Sequence, residues 1–344
     1  MKRKDFLSAI VPLGATLSAM ATGKDFSEPE IPLTIPPYLQ KGDMIGICCM
    51  AGAISVADIQ PAINKMEEWG FQIKVGETVG EKDFTFGGTD EERLEDLQQM
   101  MDDPSVKAIM SARGGYGTVR IIDGLDFKKF ATHPKWIIGF SDVTVLHAHL
   151  NRNYGIASLH SKMCNSFPED WSKAEPMQIE TIESIRKCLL GEKMQYAASI
   201  NVNNKTGIGT GELVGGNLKT LETLAGTKSD LITQGKILFI EDTDEYMYSI
   251  DRMLWNLKRT GKLVQLKGLI IGGFKLKPDD PNEEFDRTLE EIVLEKVKEY
   301  SYPVCFDFPV GHQKNNFALK YSVQHQLTVN GNSVSLTEIR KKIL

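Results

Sequence analysis

Trp136-Ile137-Ile138-Gly139-Phe140-Ser141-Asp142-Val143-Thr144 runs an apolar segment straight into Gly-x-Ser, with a helical pattern beginning at once. A strand that turns directly into a helix is the repeating unit of a parallel sheet. The same alternation extends upstream. Met44 to Met50 reads as a strand ending at Ala51-Gly52, and Val56 to Trp69 as a helix stopped by Gly70. Phe71 to Val75 is a second strand. Thr89 with Glu92 forms a capping box for a helix to about Met101, which Asp102-Asp103-Pro104 ends. Val106 to Ser111 is a third strand and Trp136 to Phe140 a fourth. The fold class is therefore α/β.

Downstream the rhythm breaks. Residues 166–208 hold Pro168, Trp171, Pro176, a helix to about Leu190 and an Asn-rich stretch at 201–205, and read as an interdomain connection. They separate a first domain over 41–165 from a second over 209–344, as a chain of 344 residues suggests. The second carries strands at Lys236 to Ile240 and Leu269 to Gly273. Between them is an amphipathic helix with Ile250, Met253, Leu254 and Leu257 on one face. Gln324 to Leu336 reads as a hairpin turning at Asn330-Gly331.

The N-terminus is of another kind. Lys2-Arg3-Lys4, the uncharged run Phe6 to Met20 and Ala19-Met20-Ala21 have the layout of a cleavable signal peptide over 1–21, followed by a linker over 22–40. The expected location is outside the cytoplasm, in the periplasm, or the cytoplasm if the signal does not function. No stretch beyond it is apolar for the roughly 18 residues that a membrane-spanning helix needs, so no membrane insertion is expected after cleavage. The net charge of −6 excludes a nucleic-acid partner from the expectation. Five cysteines, Cys48, Cys49, Cys164, Cys188 and Cys305, fit neither a disulfide framework nor a zinc site and read as buried thiols.

Four features bear on chemistry. Ser141 sits where a nucleophile elbow presents a hydroxyl above a sheet; alternatively, Ser141 or Asp142 caps the helix that follows. Val143 stands where such elbows carry a small residue. Arg113-Gly114-Gly115-Tyr116-Gly117 is either a backbone cradle for an anion or a plain turn. Glu241-Asp242-Thr243-Asp244-Glu245 reads as a solvated loop with one placed carboxylate, without the spacing of a calcium loop. His312 follows Gly311 on a loop at a strand end, where a histidine can serve as a base; taken singly, any one of the six histidines reads as structural.

Five short motifs then occur in order: Arg113-Gly114-Gly115-Tyr116-Gly117, Gly139-Phe140-Ser141-Asp142, Gly215-Gly216-Asn217-Leu218, Leu238-Phe239-Ile240-Glu241-Asp242 and Gly311-His312. Together they resemble the LD-carboxypeptidase family, which includes muramoyltetrapeptide carboxypeptidases and the microcin C self-immunity peptidases. The resemblance spans about Pro36 to Leu336. It implies a flavodoxin-like, class I amidotransferase-like N-terminal domain and a smaller mixed α/β C-terminal domain. It also implies a Ser141, His312, Glu241 triad, an oxyanion hole from the backbone N–H groups of Asp142 and of Gly114 or Gly115, and a homodimer. No metal or cofactor is implied. The implied substrate is a peptidoglycan tetrapeptide ending in D-alanine. The alternatives are a microcin C-type peptide or acyl-amide hydrolase, and an exported binding protein without catalysis. One departure stands out: members often read His-Gly-Pro-Met where this chain reads His160-Ser161-Lys162-Met163.

Overall fold

The computed structural model describes residues 31–340, and residues 32–340 belong to one compact unit. The leader read over 1–21 and the first part of the linker lie outside the described residues.

The first sheet is built from β1 (Met44–Cys48), β2 (Gln72–Val75), β3 (Val106–Ser111), β4 (Trp136–Gly139) and β5 (Ser158–His160). These five are parallel and ordered 2-1-3-4-5, the order of flavodoxin-like sheets. Helices Val56–Glu68 and Asp90–Asp102 both start at capping boxes, Ser55 with Asp58 and Thr89 with Glu92. In each box the side chains satisfy two N–H groups that the first helical turn leaves open.

The second sheet comprises β6 (Gln195–Ala198), β7 (Gly207–Asn217), β8 (Ile237–Glu245), β9 (Gly268–Leu276), β10 (Val304–Cys305), β12 (Gln324–Val329) and β13 (Val334–Glu338), ordered 10-9-8-7-12-13-6. It is parallel over 7-8-9-10 and antiparallel beyond β7. β11 (Leu319–Tyr321) crosses to the first sheet and pairs antiparallel with β5. The return is locked by a buried ion pair between Lys320 on β11 and Glu338 on β13, at 2.9 Å. One expectation is corrected here. Residues 241–245 are not a loop: β8 runs on through Glu245, with Glu241 and Asp242 buried.

Packing fixes the state of the internal histidines. His147 lies on helix Thr144–Tyr154, where its Nε2 is 2.9 Å from the Gly139 carbonyl and its Nδ1 2.8 Å from the Ser158 hydroxyl. A carbonyl only accepts, so Nε2 carries the proton and Nδ1 accepts from Ser158. Burial pushes both His147 and His325 down to about 4. The unfolded chain, with histidines near 6.5, therefore binds more protons between pH 6.5 and 4. The stabilisation is complete above about pH 6.5 and is lost as pH falls toward 4, by roughly 3 kcal/mol per histidine. The unfolding midpoint is expected to stay level from pH 8 to 6.5 and then to drop, with a shallower drop in His325→Gln. A level midpoint down to pH 4 would contradict this account.

Candidate active site

Ser141 adopts φ +62°, a left-handed conformation that side chains other than glycine rarely take. It opens a single 3-10 turn, Ser141–Val143, that feeds helix Thr144–Tyr154. The space for Val143 comes from Gly139: a Cβ there would lie 2.7 Å from Val143 Cγ2. The bulky residue after the elbow is thus accommodated by a missing side chain before it. Neither proposed cap is a cap of this helix. No side-chain cap bond is made at its start, and the Asp142 carboxylate instead accepts from Thr118 N at 2.7 Å. Burial raises the Asp142 carboxyl above the usual range, while the hydrogen bonds from Thr118 oppose it. Asp142 so ties the elbow to the end of the Arg113–Gly117 loop.

That loop folds against the elbow. A Cβ on Gly114 would stand 3.3 Å from Ser141 Cβ and 3.5 Å from its Oγ, so glycine lets the loop pass close to the hydroxyl without crowding it. The Gly114 carbonyl accepts from Gly52 N at 3.1 Å. In a trans peptide the N–H points opposite to the carbonyl, so the Gly115 N–H is directed away from Gly52.

The second sheet brings the other half. Glu241 on β8 is fully buried, and its Oε2 accepts from His312 Nδ1 at 2.5 Å and from His312 N at 3.2 Å. The Nδ1 contact fixes the tautomer, leaving Nε2 as the acceptor. Gly311, at φ +98°, admits this approach, since a Cβ there would meet Glu241 Cβ at 2.3 Å. The loop is held from behind by Gly311 N donating to Asn316 Oδ1 at 2.9 Å and by Gly273 N donating to the Val310 carbonyl at 2.8 Å. The elbow and the pair are joined through Phe140, whose ring centroid lies 4.9 Å from that of His312.

The remaining motif has a mechanical role. Gly216 on β7 presses on the elbow helix, where a Cβ would come 2.5 Å from Thr144 Oγ1, and Asn217 N donates to that oxygen at 3.2 Å. The Asn217 side chain donates to Asp242 at 2.9 Å, and burial raises the Asp242 carboxyl to about 7. The structure thus gathers Ser141, Gly114, Glu241 and His312, and adds Phe140, Asn316 and Asn217, which the sequence reading had not assigned to a site. Two cavities of about 930 and 720 Å³ are lined by other residues, so neither is this site. Among the described residues no three His, Cys, Asp or Glu side chains converge as a metal site.

Comparison with known proteins identifies the family. A family model described as the LD-carboxypeptidase N-terminal domain matches residues 45–161, and one described as the LD-carboxypeptidase C-terminal domain matches residues 210–327. The chain is 34% identical to a probable murein peptide carboxypeptidase of Bacillus subtilis (strain 168), over 83% of this chain and 88% of that protein. The crystal structure of muramoyltetrapeptide carboxypeptidase from Oxalobacter formigenes matches with a TM-score of 0.76 and 28% identity, covering 86% of this chain and 99% of that one. The microcin C7 self immunity protein MccF, in its wild type apo state, matches at 0.78 and 24% identity over 90% and 99%, which shows a shared fold.

Gly311→Ala tests the packing of the pair. A Cβ at that position must separate Glu241 from His312, with an expected loss of about 2 kcal/mol of stability. A far-downfield imidazole proton resonance is expected in the unaltered protein and should vanish in the variant. Gly331→Ala, where a Cβ meets nothing within 4 Å, is the neutral control.

Proposed function

Because this chain belongs to the LD-carboxypeptidase family, we propose that it is a serine carboxypeptidase removing a terminal D-alanine from peptidoglycan-derived tetrapeptides. The observation that carries the reading is a fully buried Glu241 held against His312, whose ring packs on Phe140, the residue before the strained Ser141. A serine hydroxyl is a weak nucleophile at neutral pH, so a base must take its proton as it attacks. His312 Nε2 is the acceptor left by the Glu241 contact. Glu241 orients the ring and offsets the imidazolium charge.

The steps follow. Ser141 Oγ attacks the carbonyl carbon of the L,D bond while His312 takes the hydroxyl proton. The oxyanion is held by the Asp142 N–H and one from Gly114 or Gly115. The C–N bond then breaks, and His312 returns its proton to the leaving amine. Water, deprotonated by His312, attacks the ester carbonyl, and His312 returns that proton to Ser141 Oγ as the C–O bond breaks and the shortened peptide leaves. Each role falls to a group of the chain itself, with no metal or cofactor in the scheme.

Disaccharide tri-, tetra- and pentapeptides, followed by mass spectrometry, test the substrate. Loss of one alanine from the tetrapeptide is expected, and a tetrapeptide left intact would sink the reading. Ser141→Ala should lose about 10⁴-fold in kcat/KM. Ser141→Gly should be equally inactive, yet at least as stable as the parent, because glycine adopts φ +62° without strain. A serine-reactive phosphonate should label the parent alone; labelling of Ser141→Ala would point to another nucleophile.

The site of action is proposed to be the periplasm, supported by the leader pattern over 1–21. The assembly is proposed to be a homodimer, by family resemblance. N-terminal sequencing of native protein should start near Thr22, in a periplasmic fraction that sediments as a dimer. Uncleaved protein in the soluble cytoplasm would refute export.

A further inference from the structure

Any enzyme that removes only the last residue of a peptide must detect a free carboxylate, and in a closed site that anion needs a cation or several donors in place of water. We propose that Lys162 is the specificity-determining residue that binds the terminal carboxylate of the substrate; the proposal rests on the carboxypeptidase reading and deepens it.

The placement argues for it. Lys162 follows β5, in the segment where the chain departs from the motif noted above. The next residue, Met163, puts its Cε 3.2 Å from the point a Cβ on Gly114 would occupy, beside Ser141. The Lys162 ammonium lies 5.5 Å from the Phe140 ring centroid and donates to the Gln313 carbonyl at 2.7 Å. Phe140 precedes Ser141 and Gln313 follows His312, so the cation is bracketed by the chain neighbours of both the nucleophile and the base.

Reaction geometry leads to the same point. His312 must reach the leaving amine to protonate it. The carboxylate carbon of the leaving amino acid is two covalent bonds from that nitrogen, about 2.5 Å away. The terminal carboxylate is therefore confined to the neighbourhood of His312, where the Lys162 ammonium stands. Without a cation this spot would repel it, since Glu241 lies behind the ring.

The electrostatic state of Lys162 is that of a cation awaiting a partner. It is largely withdrawn from water, and burial lowers its pKa from the ordinary lysine value while Glu241 opposes that shift. Both contacts of Glu241 Oε2 go to His312, and the Lys162 ammonium donates to a neutral carbonyl. An ammonium has three donors. A substrate carboxylate supplies both the remaining acceptors and the counter-charge.

The test compares a tetrapeptide with a free C-terminus against the same peptide as its C-terminal amide. The unaltered enzyme should prefer the acid by about 10²-fold in kcat/KM. In Lys162→Met and Lys162→Gln that ratio should collapse toward unity, mostly through KM on the acid, while Lys162→Arg should keep most of it. Gln retains a donor for the Gln313 carbonyl and so separates loss of charge from loss of the loop contact. Independently of any variant, free D-alanine should inhibit the unaltered enzyme and D-alaninamide should not. Equal inhibition by the two, or an equal fall on acid and amide in both variants, would overturn the assignment. If the unaltered enzyme releases no residue from the free acid, the carboxypeptidase reading itself fails, and the role of Lys162 fails with it.

Discussion

Glu241 is a carboxylate with no exposure to water, and the backbone around it is arranged to bring His312 against it. An ionised carboxylate taken into a protein interior costs several kcal/mol unless hydrogen bonds replace its hydration. The Glu241 Oε2 receives two, both from one residue, the ring and the backbone N–H of His312, while its buried Oε1 has no hydrogen-bond partner. Both can be made only if the loop lies flat against β8, which forces glycine at 311. The loop in turn rests on β9, where a Cβ on Gly272 would meet the Val310 carbonyl at 2.5 Å. A short chain of close backbone contacts thus radiates from one buried charge.

The same logic operates between the sheets. Gly216 lets β7 reach the elbow helix, and Asn217 anchors it there. Asn217 also holds Asp242, the neighbour of Glu241, so the elbow and the His312–Glu241 pair share a hydrogen-bonded strand end. The motifs that look unrelated along the sequence are the contact surfaces of a single junction. Their glycines are places where one backbone touches another, and the polar residues beside them satisfy the groups that this closeness buries.

Much of this is legible in the sequence. One capping box, Thr89 with Glu92, and short apolar runs mark β1 to β4 and the helices between them because those signals are local. The second half was harder. β7 escaped recognition because Gly207, Gly209, Gly211, Gly215 and Gly216 erase the β-branched signature of a strand. Their reason is tertiary: a Cβ on Gly209 would lie 1.6 Å from the Lys267 carbonyl. The acidic run after Ile240 read as solvated because four carboxylates suggest water, yet the first two turn into the interior. β11 is three residues long and carries no period. For the site, Ser141 and His312 were visible as local shapes, but Lys162 showed only as a departure from a pattern, since its meaning depends on a loop about 150 residues away.

The proposed triad is divided between two sheets, which raises the question of what keeps its halves in register, because a nucleophile and its base must hold their geometry within about 0.5 Å. Two separately folded domains on a flexible linker would not achieve this. Here the chain crosses back: β11 leaves the second half, completes the first sheet beside β5, and returns to β12. Lys320 on that strand pairs with Glu338 across the crossing, and Tyr321 stacks on His147, which in turn holds the Gly139 carbonyl at the elbow. The path from the second sheet to the proposed nucleophile is therefore made of buried, directional contacts. A buried ion pair such as Lys320–Glu338 adds little net stability over an apolar pair of the same shape. Its contribution is geometric, because its bonds are satisfied in one arrangement of the two sheets, the one in which the Phe140 ring before Ser141 packs on His312.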